Sequence, residues 1–257
     1  MAKIYFLGTS ASVSTKERDN TSLLILYSKR PILVDIGGSP LKKLQTLNIK
    51  FYNLKDVIIT HTHPDHIYGL VSLVHSQGYF NDFLNIYTHS LSINFIKKYL
   101  KLFKVFNKKP YPHIRFVAVD KTEPFYSYKN LKIFYFKTKH TLDSFGIRII
   151  RNNKKKIIFT SDTRFFKELT RIAKGSDFLI CDCTAPHTYF LRYRNLFSMH
   201  TSSLQLGILA KECGVKNLVP IHFLVSSKKH LEKMKKEIKK NFKGNVIFPK
   251  DFSFIEF

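Results

Sequence analysis

Acidic residues are scarce in this chain. Its 257 residues carry 18 Asp and Glu against 43 Lys and Arg, a formal net charge of +25. Such an excess concentrates polyanions and favours phosphate contacts, which points toward nucleic acid. The bland reading is compositional, because Lys, Ile, Asn and Phe are all abundant. Cysteine is scarcer still: three residues, an odd number, with Cys181 and Cys183 only one residue apart. That excludes a disulfide framework and points to a reducing cytoplasm. The two neighbouring thiols are expected to pack in a strand, where free Cys behaves as a small hydrophobe. No apolar run approaches the ~20 residues of a membrane span. The N-terminus runs straight into a strand and lacks the apolar core and cleavage site of an export signal. No Pro/Ser-rich linker and no sequence repeat interrupts the alternation of strands and helices, so residues 1–257 are read as a single domain. The 44% hydrophobic content can fill a sizeable core.

What the chain does have is His61-Thr62-His63-Pro64-Asp65-His66. At this composition such a string would arise by chance in roughly one sequence in a thousand. The β-branched run Asp56-Val57-Ile58-Ile59-Thr60 precedes it and reads as a buried strand, and a helix is expected from Ile67 onward. The histidines therefore fall on a strand-to-helix loop, where side chains can converge on a point. Neutral imidazole and carboxylate are the ligands that zinc and similar metals prefer. Four such residues crowd one tetrahedral ion and are too few for two, so further ligands are expected at other strand ends. His140, Asp162 and His222 each follow an apolar run: 131–139, 156–161 and 217–221. All three can lie on one rim of a sheet.

With these motifs the chain resembles the metallo-β-lactamase superfamily over nearly its whole length. The resemblance implies an αβ/βα four-layer sandwich, two mixed sheets with helices on the outer faces. It implies one metal held by His61, His63 and His140 and a second held by Asp65, His66 and His222. Asp162 would bridge the two together with a water or hydroxide. Zinc is the expected metal, with Mn2+ or Fe2+ as substitutes. Two ions lower the pKa of a shared water and clamp the attacking and leaving oxygens. Asp35, at the end of another strand, is expected to orient a ligand histidine or to stabilise a turn.

Within the superfamily the chain is most similar to ribonuclease Z, the tRNA 3′-processing endonuclease. The similarity lies in Phe6-Leu7-Gly8-Thr9-Ser10, in His140-Thr141-Leu142-Asp143-Ser144 and in Ser161-Asp162-Thr163-Arg164. Cys181-Asp182-Cys183-Thr184 and His200-Thr201-Ser202-Ser203 match the family's paired relay motifs. They imply His200 near the scissile phosphate, oriented by Asp182, with Asp65 holding the attacking hydroxide as well as ligating. Two departures stand out. The family's protruding basic arm has no counterpart between the third and fourth motifs, where only the short loop 151–156 is present. The ending His222-Phe223-Leu224-Val225-Ser226-Ser227-Lys228 lacks the expected Arg.

The resulting expectation is a cytoplasmic two-metal phosphodiesterase, an endoribonuclease acting near tRNA 3′ ends through a metal-bridging hydroxide. Its partner would be precursor tRNA or another phosphodiester, with no membrane and with room for a homodimer. The alternatives are a small-molecule phosphodiesterase with the same centre, a lactone or thioester hydrolase, and a non-catalytic RNA-binding protein. Candidate phosphate grips are Lys97, Lys98, Lys101, Lys104, Lys108 and Lys109, the loop 151–156, and Arg192 with Arg194. Tyr189, Phe190 and Tyr193 could stack exposed bases. Residues 92–106 and 228–242 read as amphipathic helices, with Phe95, Ile96, Tyr99, Leu100 and Phe103 facing the core in the first. Helices are also expected near 40–47, with Ser39 as N-cap, and over 203–213, stopped by Gly214.

Overall fold

Runs rich in Val, Ile, Leu and Phe, punctuated by Gly, Pro and Asn, form the strands of this protein. The computed structural model describes residues 2–257 and divides the chain into two compact units, residues up to Lys121 with Lys250–Phe257, and Thr122–Pro249. In the first unit β1 (Ala2–Gly8), β2 (Ser22–Tyr27) and β3 (Arg30–Val34) form an antiparallel meander. After α1 (Pro40–Thr46) the chain changes mode. Strand β4 (Asp56–Ile59) lies parallel to β3 and leads into the short α2 (Pro64–Ile67) and α3 (Leu70–Ser76). Strand β5 (Phe83–Thr88), α4 (Ser90–Leu102) and β6 (His113–Ala118) continue the parallel run. Parallel neighbours need long crossovers, and the helices supply them.

The second unit repeats this logic. Strands β7 (Tyr126–Tyr128), β8 (Leu131–Lys137), β9 (Phe145–Arg151) and β10 (Lys155–Phe159) are antiparallel. Helix α5 (Lys167–Ala173) then crosses to β11 (Phe178–Asp182), which is parallel to β10. Helices α6 (His187–Arg192) and α7 (Ser203–Cys213) precede β12 (Asn217–Ile221), and α8 (Lys228–Asn241) precedes β13 (Asn245–Val246). The final strand β14 (Phe254–Glu256) pairs antiparallel with β1. Each unit thus holds a seven-stranded mixed sheet, antiparallel on one side and parallel on the other. The two units share a topology that no sequence repeat betrays.

The first core joins Leu33, Val57, Ile59, Leu73, Ile86, Ile96 and Leu100. The second joins Ile158, Leu179, Leu206, Leu209, Met234 and Ile238 with all three cysteines. Cys181 is a fully buried residue of β11; Cys183, expected in the same strand, is equally buried but lies just past its end. Burial drives the Cys213 thiol up to about 12 and pushes those of Cys181 and Cys183 upward as well. Among the described residues no helix is long and apolar enough to cross a membrane.

Several helix expectations need correction. Ser39 does occupy the N-cap of α1, but its side chain makes no capping bond. The helix expected after His66 is split into α2 and α3 at Tyr68–Gly69, where the Gly69 N–H turns to the Ile36 carbonyl (3.0 Å). In α4, Phe95 and Phe103 do not face the core: the helix buries only Ser92, Ile96 and Leu100 and presents both rings to solvent. Phe190, a candidate for base stacking, is fully buried.

Candidate metal-binding residues

In the first unit the chain leaves β4 and passes through His61 and His63 into α2. Pro64 opens that helix, and Asp65 sits in its first turn, where a carboxylate suits the helix dipole. The His61 ring lies 4.7 Å from that of His63 and 4.1 Å from that of His66, centroid to centroid. His66 Nε2 is 3.6 Å from an Asp65 carboxylate oxygen. The other face of His66 is fixed. Its Nδ1 meets Asp35 at 2.8 Å, and both side chains are wholly buried. Asp35 also accepts the Thr60 N–H (2.8 Å) and the Thr60 hydroxyl (2.8 Å). The Thr60 oxygen in turn stands 3.2 Å from His61 Nδ1. Asp35 adopts the left-handed region (φ +57°), uncommon for a non-glycine residue and held here by this network. Gly37 lets the loop after Asp35 lie against the ligand segment: a Cβ at that position would overlap the Asp65 carbonyl.

In the second unit β8, β10, β11 and β12 all run in the same direction, because β9 is antiparallel to both β8 and β10. His140, Asp162, Asp182 and His222 therefore lie at one edge of one sheet, as the apolar runs before His140, Asp162 and His222 led us to expect for those three. Ser161 (φ +53°), next to Asp162, and His222 (φ +67°) are left-handed, and the backbone departs from the strand at both. Asp162 Oδ2 lies 3.1 Å from His222 Nε2 and 3.7 Å from His140 Nε2. The His200 ring lies 5.0 Å from that of His140 and 5.2 Å from that of His222. Asp162, His200 and His222 offer ligand atoms within 4.8 Å of one another.

His200 Nδ1 meets Asp182 at 2.8 Å. Asp182 is fully buried and accepts two further bonds, from the Thr184 hydroxyl (2.7 Å) and the Thr163 N–H (3.1 Å). The Thr201 hydroxyl donates to the Thr163 carbonyl (2.7 Å), and Ser202 with Gln205 forms a capping box on α7. The segment that follows His200 is thereby anchored. His140 Nδ1 lies 3.0 Å from the Met199 carbonyl.

The donor set fits divalent metal. In His61, His66 and His140 the Nδ1 atom is engaged by an oxygen, which fixes the tautomer and leaves Nε2 as the donor. Neutral imidazoles with Asp65 and Asp162 are the ligands of zinc and its first-row neighbours. Sequence reasoning missed the roles of Thr60, Thr163 and the Met199 carbonyl. A hydroxyl beside a ligand motif at a strand end could have flagged the threonines. A backbone carbonyl leaves no trace in sequence.

A family model described as Anti-Pycsar protein Apyc1 matches residues 2–211. Ribonuclease Z of Archaeoglobus fulgidus is 24% identical, with 99% of this chain and 97% of that protein covered. Among solved structures, the metallo-beta-lactamase fold protein YhfI from Bacillus subtilis superposes with a TM-score of 0.84 at 23% identity, covering 100% of both chains. Human tRNase Z, short form, gives 0.77 at 20% identity, covering 99% of this chain and 98% of its own. At these identities the structural likeness establishes the metallo-β-lactamase fold.

Proposed function

The chain belongs to the family described as Anti-Pycsar protein Apyc1, and from that membership and the two ligand sets we propose that it is a two-metal phosphodiesterase. It is a metal-dependent hydrolase with the metallo-β-lactamase fold and is similar to ribonuclease Z. In the proposal His61, His63 and His140 hold one ion, Asp65, His66 and His222 hold the other, and Asp162 serves both. Zinc is the proposed metal. Bound metal would supply Lewis-acid polarisation of the phosphoryl group and an acidified water. The side chains do the rest. Asp65 holds and orients the attacking water. Asp182 keeps the His200 proton on Nδ1 and supports positive charge on the ring. His200 then gives a proton to the leaving oxygen, or stabilises its charge.

The observation that carries this reading is the His200–Asp182 pair at 2.8 Å, beside Asp162 and His222. The proposed substrate is RNA near tRNA 3′ ends, supported by the likeness to ribonuclease Z and by the charge of +25.

A second reading, a small-molecule phosphodiesterase, is favoured by one observation. Strands β9 and β10 pair Arg151 with Lys155, so only residues 152–154 turn between them. A loop so short cannot form the basic arm. The test measures zinc-reconstituted protein on precursor tRNA, on unstructured RNA with the same 3′ trailer, and on an aryl phosphodiester, over a range of salt. The RNA reading expects cleavage at the tRNA 3′ end, weakening steeply with salt as phosphate contacts release counterions. Brisk aryl phosphodiester hydrolysis without RNA cleavage would replace it with the second reading. No hydrolysis of any of the three would overturn both.

A further inference from the structure

Lys43 is 2% exposed, although a lysine is almost never buried without a partner. It lies in α1, and its ammonium carries three protons and meets three oxygens. These are the Gly37 carbonyl (2.7 Å), the Asn20 carbonyl (3.1 Å) and the Asp19 carboxylate (3.3 Å). Burial pulls the ammonium below its ordinary pKa, and the Asp19 and Asp251 charges oppose that shift. Desolvating a charge is costly, and an apolar side chain would fill the same space without that cost. What the charge adds is attachment. Three oxygens converge on one point, and without a cation between them they repel.

The loops so joined lie directly behind two of the candidate ligands. Gly37 stands in the loop that follows β3. A Cβ on Gly37 would overlap the Asp65 carbonyl and stand 2.7 Å from the Asn20 Cβ, so the three segments touch with no room for a methyl group. One residue earlier, the Ile36 N–H donates to the His66 carbonyl (2.8 Å), and the Ile36 carbonyl accepts the Gly69 N–H (3.0 Å). Before it, Asp35 holds His66 Nδ1 at 2.8 Å. Residues 35–37 therefore grip Asp65 and His66 from behind. Asn20 is itself braced at the end of β1, where a Cβ on Gly8 would overlap its carbonyl. Lys43 ties the grip to that brace. Packing this close does not absorb a displacement but passes it on.

We propose that Lys43 is a positioning residue, whose ammonium holds the Gly37 loop against Asn20 and so sets where Asp65 and His66 present their ligand atoms. The inference rests on the two-metal reading. In it Lys43 acts through Gly37 and Asp35, not by touching the reacting atoms. Its effect falls on the ion assigned to Asp65 and His66. His61 and His63 precede the gripped stretch, so the ion assigned to them is affected less.

The experiment titrates zinc into the metal-free full chain against a chelating indicator and resolves two dissociation constants. Asp65→Ala identifies the one that depends on Asp65. Lys43→Met removes the ammonium and keeps the side chain's bulk. It should raise that constant about tenfold or more, the range for groups that orient ligands, and change the other by less than about threefold. The visible spectrum of the cobalt-loaded chain should shift with it. Lys43→Met also leaves Asp19 without its cation and should lower the urea midpoint. Adding Asp19→Asn removes that charge and should recover the midpoint without recovering the zinc affinity. Lys43→Gln, which keeps a donor, should fall between and carries the same comparison if Lys43→Met does not fold. Unchanged zinc constants in a folded variant would overturn the proposal. So would joint recovery of midpoint and affinity in the double variant, which would make Lys43 a stabilising residue only. One ion or none in the wild type would instead remove the two-metal reading, and this inference with it.

Discussion

His200 and Asp182, 2.8 Å apart, form the residue pair on which the proposed chemistry turns. Asp182 is fully buried yet fully committed, accepting from His200, Thr184 and Thr163. A carboxylate so bonded orients an imidazole at little further cost in entropy. His200→Ala should therefore leave metal content unchanged and slow phosphodiester hydrolysis by roughly 10²–10⁴-fold, the range for a positioned acid or base. Asp182→Asn should follow it more weakly, since the amide keeps the geometry and loses the charge. Turnover assays beside metal analysis check this, and a variant with normal turnover would make His200 a bystander. Both residues were marked out in the sequence only by their likeness to the paired relay motifs of ribonuclease Z. The neighbouring threonines were not, because a hydroxyl acquires meaning only when the fold brings it to a carboxylate.

At the scale of elements, the ends of β8, β10, β11 and β12 carry the proposed site residues, and the opposite end of β11 carries a structural one. Asp177, just before β11, takes the Lys156 N–H (2.9 Å) and the Lys216 amine (2.8 Å), tying β10, β11 and β12 together. Burial alone would push its carboxyl up. The Lys216 amine, the Lys156 N–H and the Lys155 charge outweigh burial and hold it below the usual carboxylate range. A carboxyl depressed in the folded state adds stability above its unfolded value, near 3.9, and loses it as pH falls through the folded value. Asp177→Asn should therefore cost about 1–2 kcal/mol at neutral pH, discounted for the exposure of Lys216. The gap between variant and wild type should close as the pH drops below about 4. Urea unfolding across pH measures it, and a gap independent of pH would refute the assignment. Strand ends such as Ile221 before His222 were readable from apolar runs. The outward rings of α4 were not, because periodicity shows that a stripe exists but not which side of a helix the sheet covers.

On the scale of the whole molecule, the architecture was legible through the superfamily resemblance that the seven ligand-type residues carry, and the match over residues 2–211 places the chain in its family. The repeated topology of the two units was invisible, because strand order is carried by patterning that many sequences satisfy. Substrate choice was equally hidden, because a charge of +25 describes a field and not a shape. The account stands or falls on whether these residues hold two ions. Elemental analysis of the purified chain after zinc reconstitution and removal of loose metal tests this most directly, with Asp162→Ala alongside. The account predicts two ions per wild-type chain and a loss reaching both positions in the variant. One ion or none in the wild type, or full retention of both by Asp162→Ala, would contradict it.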